Sequence, residues 1–264
     1  IDRSRCAGQV VATATGSAVE DFRREALQCS LRRGNWSTLH VGESAPLARL
    51  FALRQEAFPS PGAEVGPEGA LVDGSVQLAL TLLAPQFQVQ GAAYWVEQEA
   101  PLKVVDQTLL LDQRLQRFKS TELRPLLIYG LAAIKAGYQE LVAADGKTLK
   151  RVAEELSMLL HEASSPQSLS RRGRREAAAI RRELGEALPS FEAWLGDTRR
   201  WLERIALLLS SDFAACCKML ALQQGIAPDV VLGAGVPFAL VDGGPELARY
   251  YVSKRYEQEY ALLS

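Results

Sequence analysis

Histidine is almost missing from this chain: His40 and His161 are the only two among 264 residues. Neither stands in a recognisable catalytic context and no GxSxG is present, so a Ser/His/Asp hydrolase has little to work with. Cysteine is sparse too. Cys6, Cys29, Cys216 and Cys217 contain no CxxC spacing, and the adjacent last two would point about 100° apart on a helix, which disfavours a bond between them. Idle or buried thiols in a reducing compartment, the cytoplasm, are the reading that follows. No apolar run approaches the roughly 20 residues needed to span a bilayer. A charge surplus is also lacking. Thirty Lys and Arg against thirty-one Asp and Glu leave a formal charge of −1, which gives no general pull toward nucleic acid or anionic membrane.

What is present is an ordinary globular composition, 48% hydrophobic and 23% charged, in a chain long enough for one large domain or two. The opening IDRSRCAGQVVATATGS has no continuous apolar core and begins with Ile. It reads as an excerpt from a longer protein and not as a signal peptide.

Periodicity predicts one helix over Ala18 to Arg32 and a shorter one over Ala45 to Phe58, with Leu47, Leu50, Phe51 and Leu53 inward. The following PSPGAEVGPEGALVDG holds three prolines and four glycines in sixteen residues, a loop or linker composition. Ser75 to Leu83 reads as a helix. Ala92 to Glu97, Leu102 to Asp106 and Thr108 to Leu111 then read as strands from their β-branched and aromatic content. After residue 137 every element is helical: Leu149 to His161, Arg171 to Leu188, a helix restarting at Pro189 and Ser190, one capped by Asp212 and stopped at Gly225, then Glu246 to Val252 and Ser253 to Leu263. SSPQS breaks the chain at 164–168, and the segment from Gly225 to Gly244 reads as loop.

Between strands and late helices lies TELRPLLIYGLAAIKAG, Thr121 to Gly137. Thr121 suits an N-cap, Glu122 the positive end of the helix dipole, Pro125 the first turn, and Gly137 the left-handed stop. Leu123, Leu126, Leu127, Leu131 and Ile134 cover most of its circumference, which predicts a buried helix with no chemistry of its own.

Two motifs invite functional readings. Arg171, Arg172, Arg174, Arg175, Arg181 and Arg182 crowd one helix together with Glu176, Glu183 and Glu186. A solvated face with i,i+4 pairing accounts for most such runs. A nucleic-acid patch would add aromatic residues and a basic domain, and both are missing. The glycine-rich LGAGVPFALVDGG (232–244) lacks the Lys-Ser/Thr of a phosphate loop and the strand-to-helix setting of a dinucleotide site. Asp106 and Asp112 fall at strand ends, where turn and capping roles are commonest for Asp. His161, at a helix C-terminus, suits a dipole partner.

Read together, PLKVVDQTLLLDQRLQRFKSTELRPLLIYGLAAIKAG (101–137) resembles the core of HExxH zinc peptidases of the prenyl-protein protease and heat-shock membrane protease family. There a strand leads into a helix of the form ELxxVLAHELGH. Laid on this chain, Glu122 and Leu123 begin that helix, and the resemblance puts Tyr129 and Ala133 at the histidine positions and Gly130 at the general base. TRRWLERIALLL (198–209) resembles the third-ligand helix, with Glu203-Arg204-Ile205-Ala206 matching its later part and Arg199 near the ligand position. A cation there would repel zinc, and without two histidines and a carboxylate no metal or other cofactor is implied. The ending, SSDFAACCKMLALQQG with ELARYYVSKRYEQEYALL and its Val252, Ser253 and Tyr256 element, is similar to degenerate domains at the C-terminal end of large bacterial tetratricopeptide-repeat proteins. PLARLFALRQEAF (46–58) resembles the stretch linking repeats to that domain.

The resemblance implies an α+β, helix-dominated fold: a small sheet packed on the central buried helix in a zincin-like arrangement, with helices around it. Residues 1–44 would be a helical segment or the remnant of a preceding repeat region, 45–74 a linker with a short helix, and 75–264 the peptidase-like domain. Its function would be that of a catalytically inactive scaffold or interaction module with protein partners, no nucleic acid, and membership of a larger assembly. The degenerate site would be filled by Tyr129 and walled by Arg199 and Trp201. The arginine helix is a candidate interaction surface. The rival is a hydrolase whose unrecognised active site near the central helix uses carboxylates such as Asp106, Asp112 and Glu122.

Overall fold

The three short runs expected to be strands pair into a sheet with a two-residue fourth strand, and the remaining apolar periodicities are helical. A computed structural model describes residues 45–58, 69–161, 168–185, 190–233, 239 and 241–263. The helix expected over 18–32, the rest of the segment 1–44 with Cys6, Cys29 and His40, and most of the proline- and glycine-rich loop lie outside the described residues, as do 164–167 and Glu186. Contacts gather the described parts of 67–143 and 200–264 into one compact unit, and those of 40–66 and 144–199 into a second. Neither is continuous in sequence.

In the first unit β1 (Ala70–Leu71), β2 (Ala92–Val96), β3 (Leu102–Val105) and β4 (Thr108–Asp112) form a mixed sheet in the order β1-β2-β4-β3. β2 and β4 run parallel with Ala93 opposite Leu109 and Trp95 opposite Leu111, while β3 pairs antiparallel with β4, Leu102 opposite Leu111. That register lines up Ala93, Trp95, Leu102, Leu109 and Leu111, all buried, on one face. Asp106 and Gln107 alone join β3 to β4, and Asp106 takes the left-handed conformation (φ 51°) that a tight hairpin turn asks of it. Helix α2 (Gly74–Phe87) starts where the Asp73 carboxylate accepts the Ser75 and Val76 amides at 3.0 and 3.1 Å. β1 and α2 thus occupy the end of the stretch expected to be a loop, and α2 begins one residue earlier and ends four later than its periodicity predicts.

The central helix, α3 (Ser120–Ala136), packs against β3, β4 and α2. Its N-cap is Lys119, not Thr121: the Glu122 carboxylate reaches back to accept the Lys119 amide at 3.0 Å. Pro125 consequently falls in the second turn, where its missing N–H costs a ladder bond to the carbonyl of exposed Thr121. Gly137 (φ 79°) ends the helix as expected, and the Tyr138 amide then returns to the Ala133 carbonyl at 2.8 Å. Every residue from Pro125 to Ile134 is buried.

The short α4 (Gln139–Val142) packs on α3 and β3, after which the chain enters the second unit. There α5 (Gly146–Leu160) and α6 (Arg171–Leu184) pack on each other and on α1 (Ala45–Ala57), so the helix expected inside a linker is part of a three-helix core. In α7 (Phe191–Ser210), residues 191–199 belong to the second unit and 200–210 to the first. Back in the first unit, α8 (Phe213–Gln223) is capped by Asp212, whose carboxylate accepts the Ala215 amide at 3.0 Å, and it packs on α3. The span expected to be loop after Gly225 holds a further helix, α9 (Pro228–Gly233), with Pro at its first position. α10 (Gly244–Tyr251) and α11 (Lys254–Leu263) close the chain around a tyrosine cluster in which Tyr250, Tyr251 and Tyr260 surround the Tyr256 ring. The Tyr250 hydroxyl donates to Glu259, a buried carboxylate that also accepts from Arg255 at 2.6 Å. Burial and Glu259 together push the Tyr250 phenol well above its ordinary range.

Candidate functional site

Tyr129, Gly130 and Ala133, the three positions on α3 that the peptidase resemblance singles out, are all part of the packed core. Tyr129 is fully buried. A Cβ at Gly130 would come within 2.7 Å of Leu109 Cδ2 and 3.0 Å of Leu102 Cδ2. Glycine is what lets the helix backbone approach the sheet this closely. Arg199 belongs to the second unit, where its guanidinium donates to the Ala144 carbonyl at 3.3 Å. Trp201 is half-buried, in the first unit.

Of the three carboxylates named as rival candidates, Asp112 and Glu122 each hold a backbone amide and a cation. Asp106 is the exposed hairpin turn residue. Asp112 is buried; it accepts the Arg114 amide at 2.9 Å and the Arg114 Nε at 2.6 Å, capping the 3-10 turn Gln113–Arg117. Glu122 caps α3 through one oxygen and accepts from Lys218 Nζ of α8 at 2.5 Å through the other. Burial raises the Glu122 carboxyl, but the Lys218 hydrogen bond and the Lys119 amide outweigh it and leave it below its ordinary value. Among the described residues no three His, Cys, Asp or Glu side chains converge in a way that could hold a metal ion. Burial pushes the thiol of Cys216 well up and that of Cys217 to about 12, so neither is a nucleophile in the folded chain.

Chemistry that faces solvent lies on α6. Its inner face is Gly173, Ala177 and Ile180, the first two small enough for close packing, and the helix packs on α1. A Cβ on Gly173 would sit 2.9 Å from Leu169 Cδ2 and 3.4 Å from the Glu56 carboxylate of α1. That proximity brings Arg49, also on α1, between the two flank carboxylates of α6. Its Nε donates to Glu176 at 2.8 Å and its Nη1 to Glu183 at 2.9 Å. These hydrogen bonds raise the Arg49 guanidinium above its ordinary value. The carboxylates expected to neutralise the helix's own arginines are therefore held by a residue 127 and 134 positions away in sequence. The i,i+4 alternative, Arg172 with Glu176, has the less favourable order of charges. Arg171, Arg172 and Arg175 are exposed and have no carboxylate partner among the described residues. Arg174 donates to the Leu169 carbonyl at 2.9 Å and Arg182 to that of Ala178 at 3.4 Å. Arg181 is half-buried on the flank.

Sequence reasoning did not find Arg49, nor the Arg54–Glu155 pair between α1 and α5, because both depend on which helices meet. No protein-family model, characterised protein or solved structure matches this chain. No described helix is long and apolar enough to cross a membrane.

Proposed function

We propose that this chain is a catalytically inactive, metallopeptidase-like domain that serves as a protein-interaction or scaffold module, joined in a larger cytoplasmic protein to helical repeats. The observation that carries the reading is the use made of α3. The residues at its would-be ligand positions are packed core, with Gly130 pressed against Leu102 and Leu109. A helix enclosed in this way offers no open coordination position and no cleft for a peptide. The exposed arginines of α6 supply the contrasting surface, accessible and without a carboxylate partner for Arg171, Arg172 and Arg175 among the described residues, and charge of this kind selects partners and sets their encounter rate.

The test is an unfolded-protein cleavage assay on the purified chain, with and without added zinc, in parallel with a photo-crosslinking residue placed at Ala179. The expected result is no cleavage in either condition and a discrete polypeptide adduct from α6. Cleavage that disappears in Glu122→Gln or Asp112→Asn would overturn the proposal in favour of an enzyme.

A further inference from the structure

The geometry points to an acidic, helical polypeptide segment, with one carboxylate per turn, as the partner that docks along the outer face of α6. This rests on the reading of the domain as an interaction module. At 100° per residue, Arg171, Arg175 and Arg182 fall within about 40° of one another, directly opposite Gly173, Ala177 and Ile180. They form a line of roughly 16 Å at one guanidinium per one or two turns. Ala178 and Ala179 interrupt the line, half-buried and small, so a second helix can approach at the usual 8–10 Å axial spacing. The guanidiniums would then reach outward on both sides of that contact to carboxylates of the partner, in the bidentate geometry Arg favours.

Two features make the face want an anion. First, Glu176 and Glu183 are held on the flank by Arg49, which leaves the outward arginines without an internal counter-charge among the described residues. Second, Arg171, Arg172 and Arg174 occupy the first turn of α6, which holds no acidic residue, so their charges add to the positive end of the helix dipole. Glu56 answers only part of this, accepting the Ser170 amide at 3.3 Å. A row of partner carboxylates would relieve both.

Polypeptide is the favoured class for two reasons. RRGRREAAAIRREL contains no aromatic residue for base stacking, and the chain as a whole carries a charge of −1, not the basic surplus of a nucleic-acid binder. The only apolar side chains on the outer face are alanines, too small to anchor a helix in a lipid interface.

The test is fluorescence anisotropy on the full chain with a labelled alanine-rich helical peptide whose glutamates stand at positions i, i+4, i+7 and i+11. The expected result is saturable binding that weakens by about tenfold or more in R171Q/R175Q/R182Q, and by less than about threefold in K147Q/K150Q/K254Q, which removes the same charge from other exposed sites. A peptide of equal composition with its glutamates spread round the helix should bind at least about fivefold more weakly. R171E/R175E/R182E should gain affinity for a one-per-turn lysine peptide, a reversal that a misfolded variant would not show. No binding of the acidic peptide, equal loss in the lysine variant, indifference to glutamate spacing, or tighter binding of a DNA duplex or phosphatidylserine vesicle through the same arginines would each overturn the inference. Cleavage activity in the same preparation would instead overturn the function proposed above and leave the peptide result standing.

Discussion

Replacing Glu155 by alanine should destabilise the second unit more than any other single change to its ion pairs. Arg54 of α1 is 1% exposed and Glu155 of α5 is 12% exposed, with Nε–Oε2 at 2.6 Å and Nη2–Oε2 at 2.5 Å. The other oxygen accepts from Arg151 at 2.8 Å, but Arg151 is 51% exposed and its share is screened by solvent. Arg54 also lies 5.7 Å from the centre of the Phe51 ring. Breaking a buried pair from one side typically costs about 3–5 kcal/mol because the remaining charge stays buried. The exposed Arg151 contact adds about 0.3–0.5 kcal/mol. Glu155→Ala should therefore lower unfolding free energy by about 3–5 kcal/mol. Glu155→Gln, which keeps a neutral acceptor, should cost about half as much. Urea unfolding followed by tryptophan fluorescence reads both directly, and the cycle with Arg54→Met tests the coupling. The reasoning fails if Glu155→Ala stays within about 0.5 kcal/mol of the parent, or if the two single changes simply add in the double variant.

Gly130→Val should be destabilising by about 3 kcal/mol or more, since its branched side chain must displace the buried ends of Leu102 and Leu109; a thermal melt matching the parent would show that α3 does not lie so close to the sheet. The peptide carrying Cys216 and Cys217 should resist alkylation in the folded chain and label fully in urea, as read by mass spectrometry. Labelling at similar rates in both conditions would contradict their burial. Glu122 has a folded pKa below its ordinary 4.5, so its contribution is complete above that value and is lost as pH falls through the lower folded one. Urea midpoints should accordingly fall as pH drops below the ordinary carboxylate value, with a shallower fall in Glu122→Gln; identical slopes would remove Glu122 from the acid transition.

Signals confined to a few neighbouring residues were legible. Gly137 ends α3 and Asp212 caps α8 because a left-handed glycine and a capping carboxylate act within one turn of their own positions. The β2, β3 and β4 strands are short runs with β-branched or aromatic residues of their own. β1 carries none. Its two residues are a strand only because Ala70 lies opposite Trp95 and Leu71 opposite Tyr94, and no local pattern can announce a partner more than twenty residues away. The start of α3 went to Lys119 because Glu122 serves the cap from the third position, a reciprocal arrangement that Thr121 could not match. α9 was hidden in a stretch whose glycine content outweighed the helical start supplied by Pro228.

The same distinction separates what the sequence says about the candidate sites. The composition of α3 is enough to show that most of its circumference is apolar, and a helix of that kind is largely enclosed wherever it is placed. Helix α2, helix α8 and strands β3 and β4 all contact it. Ligands for a metal would have to be introduced into close packing, with polar groups buried beside Leu102 and Leu109. The arginines of α6 present the opposite case. Their number is plain in the sequence, but whether they are neutralised depends on Arg49, which only the fold brings to Glu176 and Glu183. Had those carboxylates folded back onto Arg172 and its neighbours, the helix would be an ordinary solvated face. Because α1 takes them, the outward charge is left uncompensated by the described part of the chain.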